Sequence, residues 1–268
     1  MGESGPGREG ATLTDTMIFA SVSKKGIILL SIPRDIWYQP LQTKINSLNF
    51  YGGLPLVKRV VEEILGQKID MVFLVDFDSF VEFIDVLGGI DIYVERAFDD
   101  FKYPIPGKEN DLCNGDKSFS CRYEHIHFDS GWQHMDGETT LKFVRSRQAE
   151  GEEGTDFARS LRQQKVIEAV KSKIFSFSFL LDYQKISSIL KIFREKIKKD
   201  IGSVNDLFSL GKILIYPSSR KASSFVLEGK DSSGEFLYHP KFHYSGQWVL
   251  LPVGGNWEKI QKFVSSIL

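Results

Sequence analysis

Between Val144 and Gln164 the sequence runs VRSRQAEGEEGTDFARSLRQQ and places four arginines, Arg145, Arg147, Arg159 and Arg162, around an acidic, glycine-containing loop. Two amides, Gln163 and Gln164, follow the last of them. A guanidinium fork matches carboxylate and phosphate oxygens, and a helix N-terminus adds unpaired N–H groups and the positive end of the helix dipole. Thr155 or Asp156 is a good N-cap, so the spacing predicts a helix from Phe157. Arg159 and Arg162 then share one face of its first turns. Cations at that end oppose the dipole. They serve either an anion site, for which phosphate is the best match, or a solvated face paired with Asp156 and the glutamates. Asp156 itself either caps the helix and pairs an arginine, or orients and deprotonates an acceptor hydroxyl as a general base.

Other groups are more scattered. Arg34 follows Pro33 at a predicted strand end, a loop position often functional in α/β folds. Asp15 sits between two threonines at the start of a strand; it is a turn residue or a magnesium ligand, since magnesium takes one or two carboxylates beside phosphate oxygens and water. Asp35 is expected to pair Arg34. Lys44 and Asn46 are weaker candidates, and Asp76 ends a buried strand where it caps a helix or touches substrate. His125, His127 and His134 lie near no G-x-S-x-G nucleophile motif, and neither a P-loop nor a G-x-G-x-x-G occurs.

The elements that must hold these residues follow from periodicity. Thr16 to Ser23 and Ile27 to Ile32 read as a buried β-hairpin. Pro55 opens a helix that reaches about Leu65 and closes at Gly66, with Leu56, Val60 and Ile64 on one stripe. Residues 71–75 are a strand, and Asp78 or Ser79 caps a helix to Leu87. Gly88 and Gly89 break it, and residues 90–94 form another strand. This alternation argues for an α/β sandwich. Residues 96–135 read as loop-rich, a length that marks a functional segment. A helix over 137–143 delivers Arg145 and Arg147. Residues 186–199 form an amphipathic helix with a lysine face, 204–212 a short helix, and 213–216, 224–228 and 248–251 strands. A helix over 257–267 closes the chain.

At 268 residues, with 42% hydrophobic and 26% charged side chains, one large domain over residues 13–268 is expected after a flexible segment 1–12. Net charge of −1 offers nucleic acid no global basic field. Cys113 and Cys121 bracket a short polar loop. A zinc site with His125 and His127 stays open, although an HxH pair suits it poorly. A small disulfide ring fits better and implies an oxidising compartment. The run IFSFSFLL (174–181) is too short to span a bilayer.

The motifs TDTM (14–17), SIPRD (31–35), KIN (44–46), YGG (51–53), VDF (75–77), GGID (88–91), DGE (136–138), RSR (145–147) and DFARSLRQQ (156–164) occur in order over roughly residues 14–170. In this series the sequence resembles the LytR-CpsA-Psr family of bacterial cell-envelope proteins. The resemblance implies a three-layer α-β-α sandwich with a mixed central sheet flanked by helices. It implies transfer of a glycopolymer from a polyprenyl-diphosphate carrier to peptidoglycan, at the extracytoplasmic face, with the membrane surface reached through the carrier lipid. The implied substrate ligands are Arg34, Lys44, Arg145, Arg147, Arg159, Arg162 and Gln163, with Arg34, Asp156 and Arg159 catalytic. Asp15 is the implied ligand of Mg2+, assisted in the family by a second Asp from an upstream Gly-x-Asp strand that this chain lacks. The family's N-terminal membrane helix is likewise absent from this chain, so the N-terminus looks truncated. Two other classes remain: a hydrolase of the same diphosphate, and a non-catalytic binder of lipid-linked polymer or an envelope regulator. The polyprenyl tail calls for an apolar tunnel, which the 21 phenylalanines are numerous enough to line.

Overall fold

A computed structural model describes residues 2–3, 13–23, 26–201, 222–227, 229–231 and 235–268. The strands, in chain order, are β1 (Gly2–Glu3), β2 (Thr14–Ser23), β3 (Gly26–Ile32), β4 (Trp37–Tyr38), β5 (Thr43–Lys44), β6 (Met71–Asp76), β7 (Ile90–Val94), β8 (Phe98–Pro104), β9 (Tyr123–Phe128), β10 (Gly131–Met135), β11 (Lys198–Ile201), β12 (Ala222–Val226), β13 (Gly229–Asp231), β14 (Leu237–His239) and β15 (Leu251–Pro252). The helices are α1 (Leu48–Leu65), α2 (Phe77–Leu87), α3 (Gly137–Arg145), α4 (Asp156–Ile174), α5 (Phe177–Leu180), α6 (Tyr183–Glu195) and α7 (Glu258–Ile267). The fold is α/β, and its described residues divide into two compact units. One holds those up to Asp76 together with those from Ile197 onward; the other is Phe77–Lys196.

The first unit is built on a six-stranded mixed sheet of order β11-β6-β1-β2-β3-β12. Its centre is the expected hairpin: β2 and β3 pair antiparallel from Met17↔Ile32 to Ser23↔Gly26. Their β-branched and aromatic runs suit a half-buried pleated surface. In α1 the backbone departs from helix at Gly52 and at Gly53, whose φ of 65° favours glycine, so Pro55 falls in the first turn after the kink. Val57, Val60, Val61 and Ile64 then bury one stripe against Met17, Leu30 and Ile32 and against Ile260 and Val264 of α7.

The second unit holds two antiparallel ribbons, β7·β10 and β8·β9, with α2, α3, α4 and α6. Its core joins Ile84, Leu87, Ile90, Ile92, Val94, Phe98, Phe128, Met135 and Phe143. The loop expected over 96–135 is corrected here, because only the stretch between β8 and β9 lacks strand. Phe98, Asp100, Ile126 and Phe128 turn inward and alternate with the more exposed Asp99, His125 and His127. With so few apolar residues per strand, the ribbon becomes recognisable only once Phe143 packs on it. Inside the remaining loop Cys113 and Cys121 form a disulfide, so their thiolates are unavailable for zinc.

Smaller corrections follow. Helix α2 starts at Phe77, ahead of both proposed caps. Helix α6 ends at Glu195, and Lys198 and Lys199 pair with β6 as part of β11. The helix read over 204–212 and the strand over 213–216 lie outside the described residues. Of residues 1–12 only Gly2–Glu3 is described, as backbone between β2 and β6. Among the described residues no helix is long and apolar enough to cross a membrane.

Candidate functional site

In the first unit the SIPRD turn leaves β3 and is clamped by backbone hydrogen bonds. Asn46 N donates to Arg34 O at 3.2 Å and Leu250 N to Asp35 O at 2.9 Å. Thr14 Oγ1 donates to Asn46 O at 3.1 Å, which ties the start of β2 to the same place. Four charges therefore alternate in a chain. Asp15 pairs Arg34 Nη1, Arg34 Nε lies 3.5 Å from Asp35 Oδ2, and Lys44 Nζ donates to Asp35 Oδ1 at 2.8 Å. Arg34 Nε is buried and makes no hydrogen bond, while the Asp15 side chain remains 40% exposed. A buried N–H without an acceptor is a costly donor, and an arriving oxyanion is one way to satisfy it.

As a magnesium ligand Asp15 fits only in part. Its carboxylate is the hard oxygen donor that the ion takes, but it stands alone and already accepts from Arg34. Among the described residues the one close trio of candidate ligands is Asp111, Cys113 and Cys121, and the disulfide uses both sulfurs. The donor set becomes adequate only together with phosphate oxygens.

In the second unit the predicted arginines do come together, with divided roles. Thr155 Oγ1 caps α4 by accepting from Ala158 N at 3.1 Å, which corrects the capping role considered for Asp156. Asp156 instead pairs, its Oδ1 lying 3.3 Å from Arg147 Nη2 and 3.1 Å from Arg159 Nη2. Asp156 is 57% exposed and Arg159 only 12%, so a mostly sheltered guanidinium reaches out to a solvent-facing carboxylate. Arg145 lies over the Phe77 ring at 4.3 Å, and its Nη1 donates to Tyr103 Oη at 3.3 Å. Gln163 Nε2 donates to Val144 O at 3.4 Å.

Arg162, expected among the substrate ligands, is corrected by its surroundings. It is buried, and its forks donate to Phe143 O (2.9 Å), Ser146 O (2.7 Å), Glu153 O (2.9 Å) and Glu153 Oε2 (2.9 Å). Burial holds its pKa below the usual arginine value, opposed by the Glu153 carboxylate. Arg162 thus closes the last carbonyls of α3 and ties down the acidic loop, where cationic charge suits the negative end of α3.

Asp100 escaped the sequence reading. It is buried, its Oδ2 accepts from Ser146 Oγ (2.7 Å), Arg147 N (3.2 Å) and Gln148 N (3.1 Å), and its Oδ1 accepts from Lys102 N (2.9 Å). A buried carboxylate needs such donors, and these fix the RSR segment. The only available signal was its place on the inward side of the alternating FDDF. Gly154 completes the loop, since a Cβ there would run into the Ala149 carbonyl oxygen.

Comparison with known proteins decides the family. The model of the LytR_cpsA_psr family matches residues 1–244. The chain belongs to the LytR_cpsA_psr family. Among curated LytR_cpsA_psr relatives, the Bacillus subtilis (strain 168) protein named polyisoprenyl-teichoic acid--peptidoglycan teichoic acid transferase TagV is 28% identical over 262 residues, 96% of this chain and 59% of its own length. A Bacillus mycoides (strain KBAB4) protein, named as the corresponding transferase TagU, is 28% identical over 187 residues, 68% of this chain and 52% of its own. The chain thus spans little more than half the length of these relatives. A crystal structure of B. subtilis TagV superposes with a TM-score of 0.66 at 25% identity, covering 99% of this chain and 94% of that one. A structure of TagT bound to LIIa-WTA gives 0.63 at 22%, covering 100% and 87%, and shows likeness of fold.

The first unit also holds a cleft of about 520 Å3 between β2 and β6, floored by Val57 and Val61. Residues 17–22 of β2 line one side, and residues 71–73 of β6 with 68–70 just before it line the other. Among the described residues, its phenylalanines are Phe19 and Phe73. Two edges each bonded to β1 leave a gap one strand wide, which is not the side-chain-walled tunnel expected for a polyprenyl tail.

Proposed function

We propose that this chain transfers a glycopolymer from a polyprenyl-diphosphate carrier to peptidoglycan at the extracytoplasmic face of the membrane. Family membership supports the reading, as do the relatives named as transferases of polyisoprenyl-teichoic acid to peptidoglycan. One family model spanning both compact units supports treating them as parts of a single domain. The structural observation that carries the proposal is the pair Arg147 and Arg159, drawn onto the solvent-facing Asp156 at the start of α4.

In the proposed reaction, phosphate oxygens of the carrier compete with Asp156 for the two forks, with Arg145 and Gln163 beside them. The acceptor hydroxyl forms a bond to the phosphorus that carries the polymer, and the bond from that phosphorus to the polyprenyl phosphate breaks. The arginines stabilise negative charge on the leaving phosphate. Asp156 faces solvent, where it orients the hydroxyl and takes its proton. In the first unit Arg34 and Lys44 are assigned to phosphate oxygens and Asp15 to magnesium. When held there, the ion would supply further charge neutralisation.

The test is transfer from a lipid-linked oligosaccharide to peptidoglycan fragments, comparing the wild type with Arg159→Ala. Product that forms only with acceptor present, and falls in the variant, supports transfer. Polyprenyl phosphate released equally without acceptor identifies a hydrolase, and bound but unconverted lipid identifies a binder. By calorimetry, magnesium is expected to bind weakly until a diphosphate is added; tight binding of the metal alone would contradict this and point to Asp35 or another carboxylate as a further ligand.

A further inference from the structure

Helix α4 carries the arginines at its N-terminal end. Its C-terminal end leads into a segment of opposite character. From Phe177 to Tyr183 the large apolar side chains face outward, with Phe177 78% and Tyr183 80% exposed and Leu180 and Leu181 also exposed. Phe179 is buried, packed into the core of the second unit. The exposure belongs to a held conformation. Ser176 Oγ caps α5 by accepting from Phe179 N at 3.3 Å, and Asp182 Oδ1 caps α6 by accepting from Lys185 N at 3.0 Å. Leu190, seven residues after Tyr183 and thus on the same side of α6, is exposed as well. Ile186 and Ile189 pack partly against the core of the second unit, and Ile192 is buried.

Charge identifies what covers this face. Between Lys171 and Lys196 the sequence carries Lys171, Lys173, Lys185, Lys191, Arg194 and Lys196 against Asp182 and Glu195 alone, in a chain whose net charge is −1. The Asp182 side chain is engaged as a cap, Lys196 pairs Glu82, and Arg194 pairs Glu195 at 2.8 Å. Exposed aromatic and leucine side chains bordered by lysines match a bilayer interface. The apolar groups enter the acyl boundary, the aromatic rings sit at headgroup depth, and lysine stems lie along the apolar surface with their ammonium groups at lipid phosphates. A four-residue helix cannot span a bilayer, so any contact it makes with one is at the surface.

We propose that the α5–α6 face, centred on Phe177, Leu181 and Tyr183 and bordered by Lys171, Lys173 and Lys191, docks this chain onto an anionic lipid bilayer. Along α4, which ends at Ile174, the helix rise of 1.5 Å per residue puts its C-terminal end about 22 Å beyond Arg159. Docking does not depend on the transferase reading, and its test involves no transfer.

The experiment is flotation of the full chain with vesicles of phosphatidylcholine alone or mixed with phosphatidylglycerol. The wild type is expected to float with the mixed vesicles, to float far less with phosphatidylcholine, and to be released by added salt. The triple substitution Phe177→Ser, Leu181→Ser, Tyr183→Ser should weaken binding by at least about tenfold, and so should Lys171→Glu with Lys173→Glu and Lys191→Glu. All these positions are at least partly exposed, and circular dichroism checks that each variant keeps its fold. As a second readout, Phe177→Trp should shift its fluorescence to the blue only with anionic vesicles. A wild type that does not float, variants that float equally well, or an unshifted Phe177→Trp emission each overturn the proposal. A wild-type dimer in solution that the triple substitution dissolves also overturns it, because a second copy then covers the face.

Discussion

The two charged clusters use the same residue types to opposite ends. In the first unit, Asp15, Arg34, Asp35 and Lys44 alternate in sign along a short chain, two acids and two bases, with Asp15 exposed at one end. In the second, Arg162 is sealed by three carbonyls and a carboxylate, while Arg147 and Arg159 share one solvent-facing oxygen of Asp156. Arg159 and Arg162 are three residues apart on the same helix, yet one reaches toward solvent and the other locks a loop. The number of buried acceptors around each guanidinium makes the difference, because a buried fork must satisfy its donors where it stands.

Removing the locked arginine should break the comparison most severely. Arg162→Ala leaves Glu153 and three carbonyls facing a void, and breaking a buried pair in this way costs about 3–5 kcal/mol. Urea denaturation measures it; a loss below about 1 kcal/mol, the range of an exposed pair, would place Arg162 among the ligands after all. Arg159→Ala should do the reverse, with little change in stability but a loss of about 1.5–3 kcal/mol in affinity for a polyprenyl diphosphate. Arg159→Lys should restore only part of it, since the planar fork is missing. Unchanged affinity in both Arg159→Ala and Arg147→Ala ends the anion-site reading. Arg34→Ala is expected to cost at most about 1 kcal/mol of stability, because Asp35 keeps Lys44 and Asp15 can turn to water.

The smallest effect concerns the β8·β9 ribbon. His125 Nε2 and His127 Nδ1 donate to Asp99 Oδ1 at 2.7 and 2.8 Å, and His127 Nε2 lies 3.2 Å from Asp129. The hydrogen bond to Asp99 raises the His127 pKa, and the bonds from the two histidines lower that of Asp99. The raised His127 value stabilises the ribbon below about pH 6.5 and is lost as pH rises through the folded pKa; the lowered Asp99 value helps above about pH 4 and is lost on acidification. The ribbon should therefore be firmest between these limits. In a proton-NMR titration the His127 midpoint should fall in Asp99→Asn; an unmoved midpoint would show that the pair does not form in solution.

Much of the scaffold was legible in order and type. The β2–β3 hairpin, α1 after its Gly-Gly kink, β6, α3 and α4 all follow from apolar periodicity and from capping residues such as Thr155 and Gly66. The β8·β9 ribbon was not, because its polar outer positions hide the alternation until Phe143 covers the other face. The nine ordered motifs pointed to the family that the family model shows, and the arginines were visible as a cluster. Their division of labour was not visible. Local sequence states that Arg159 and Arg162 share a helix face, but which one is buried depends on carbonyls at the end of α3, nineteen residues earlier for Phe143, and on Glu153 across the loop. Nor does any pattern near Arg147 point to Asp100, 47 residues away, which fixes its backbone. Propensity and capping act within a few residues and are written in the chain. The satisfaction of buried charge is a property of what folding brings alongside, and only the tertiary structure decided it.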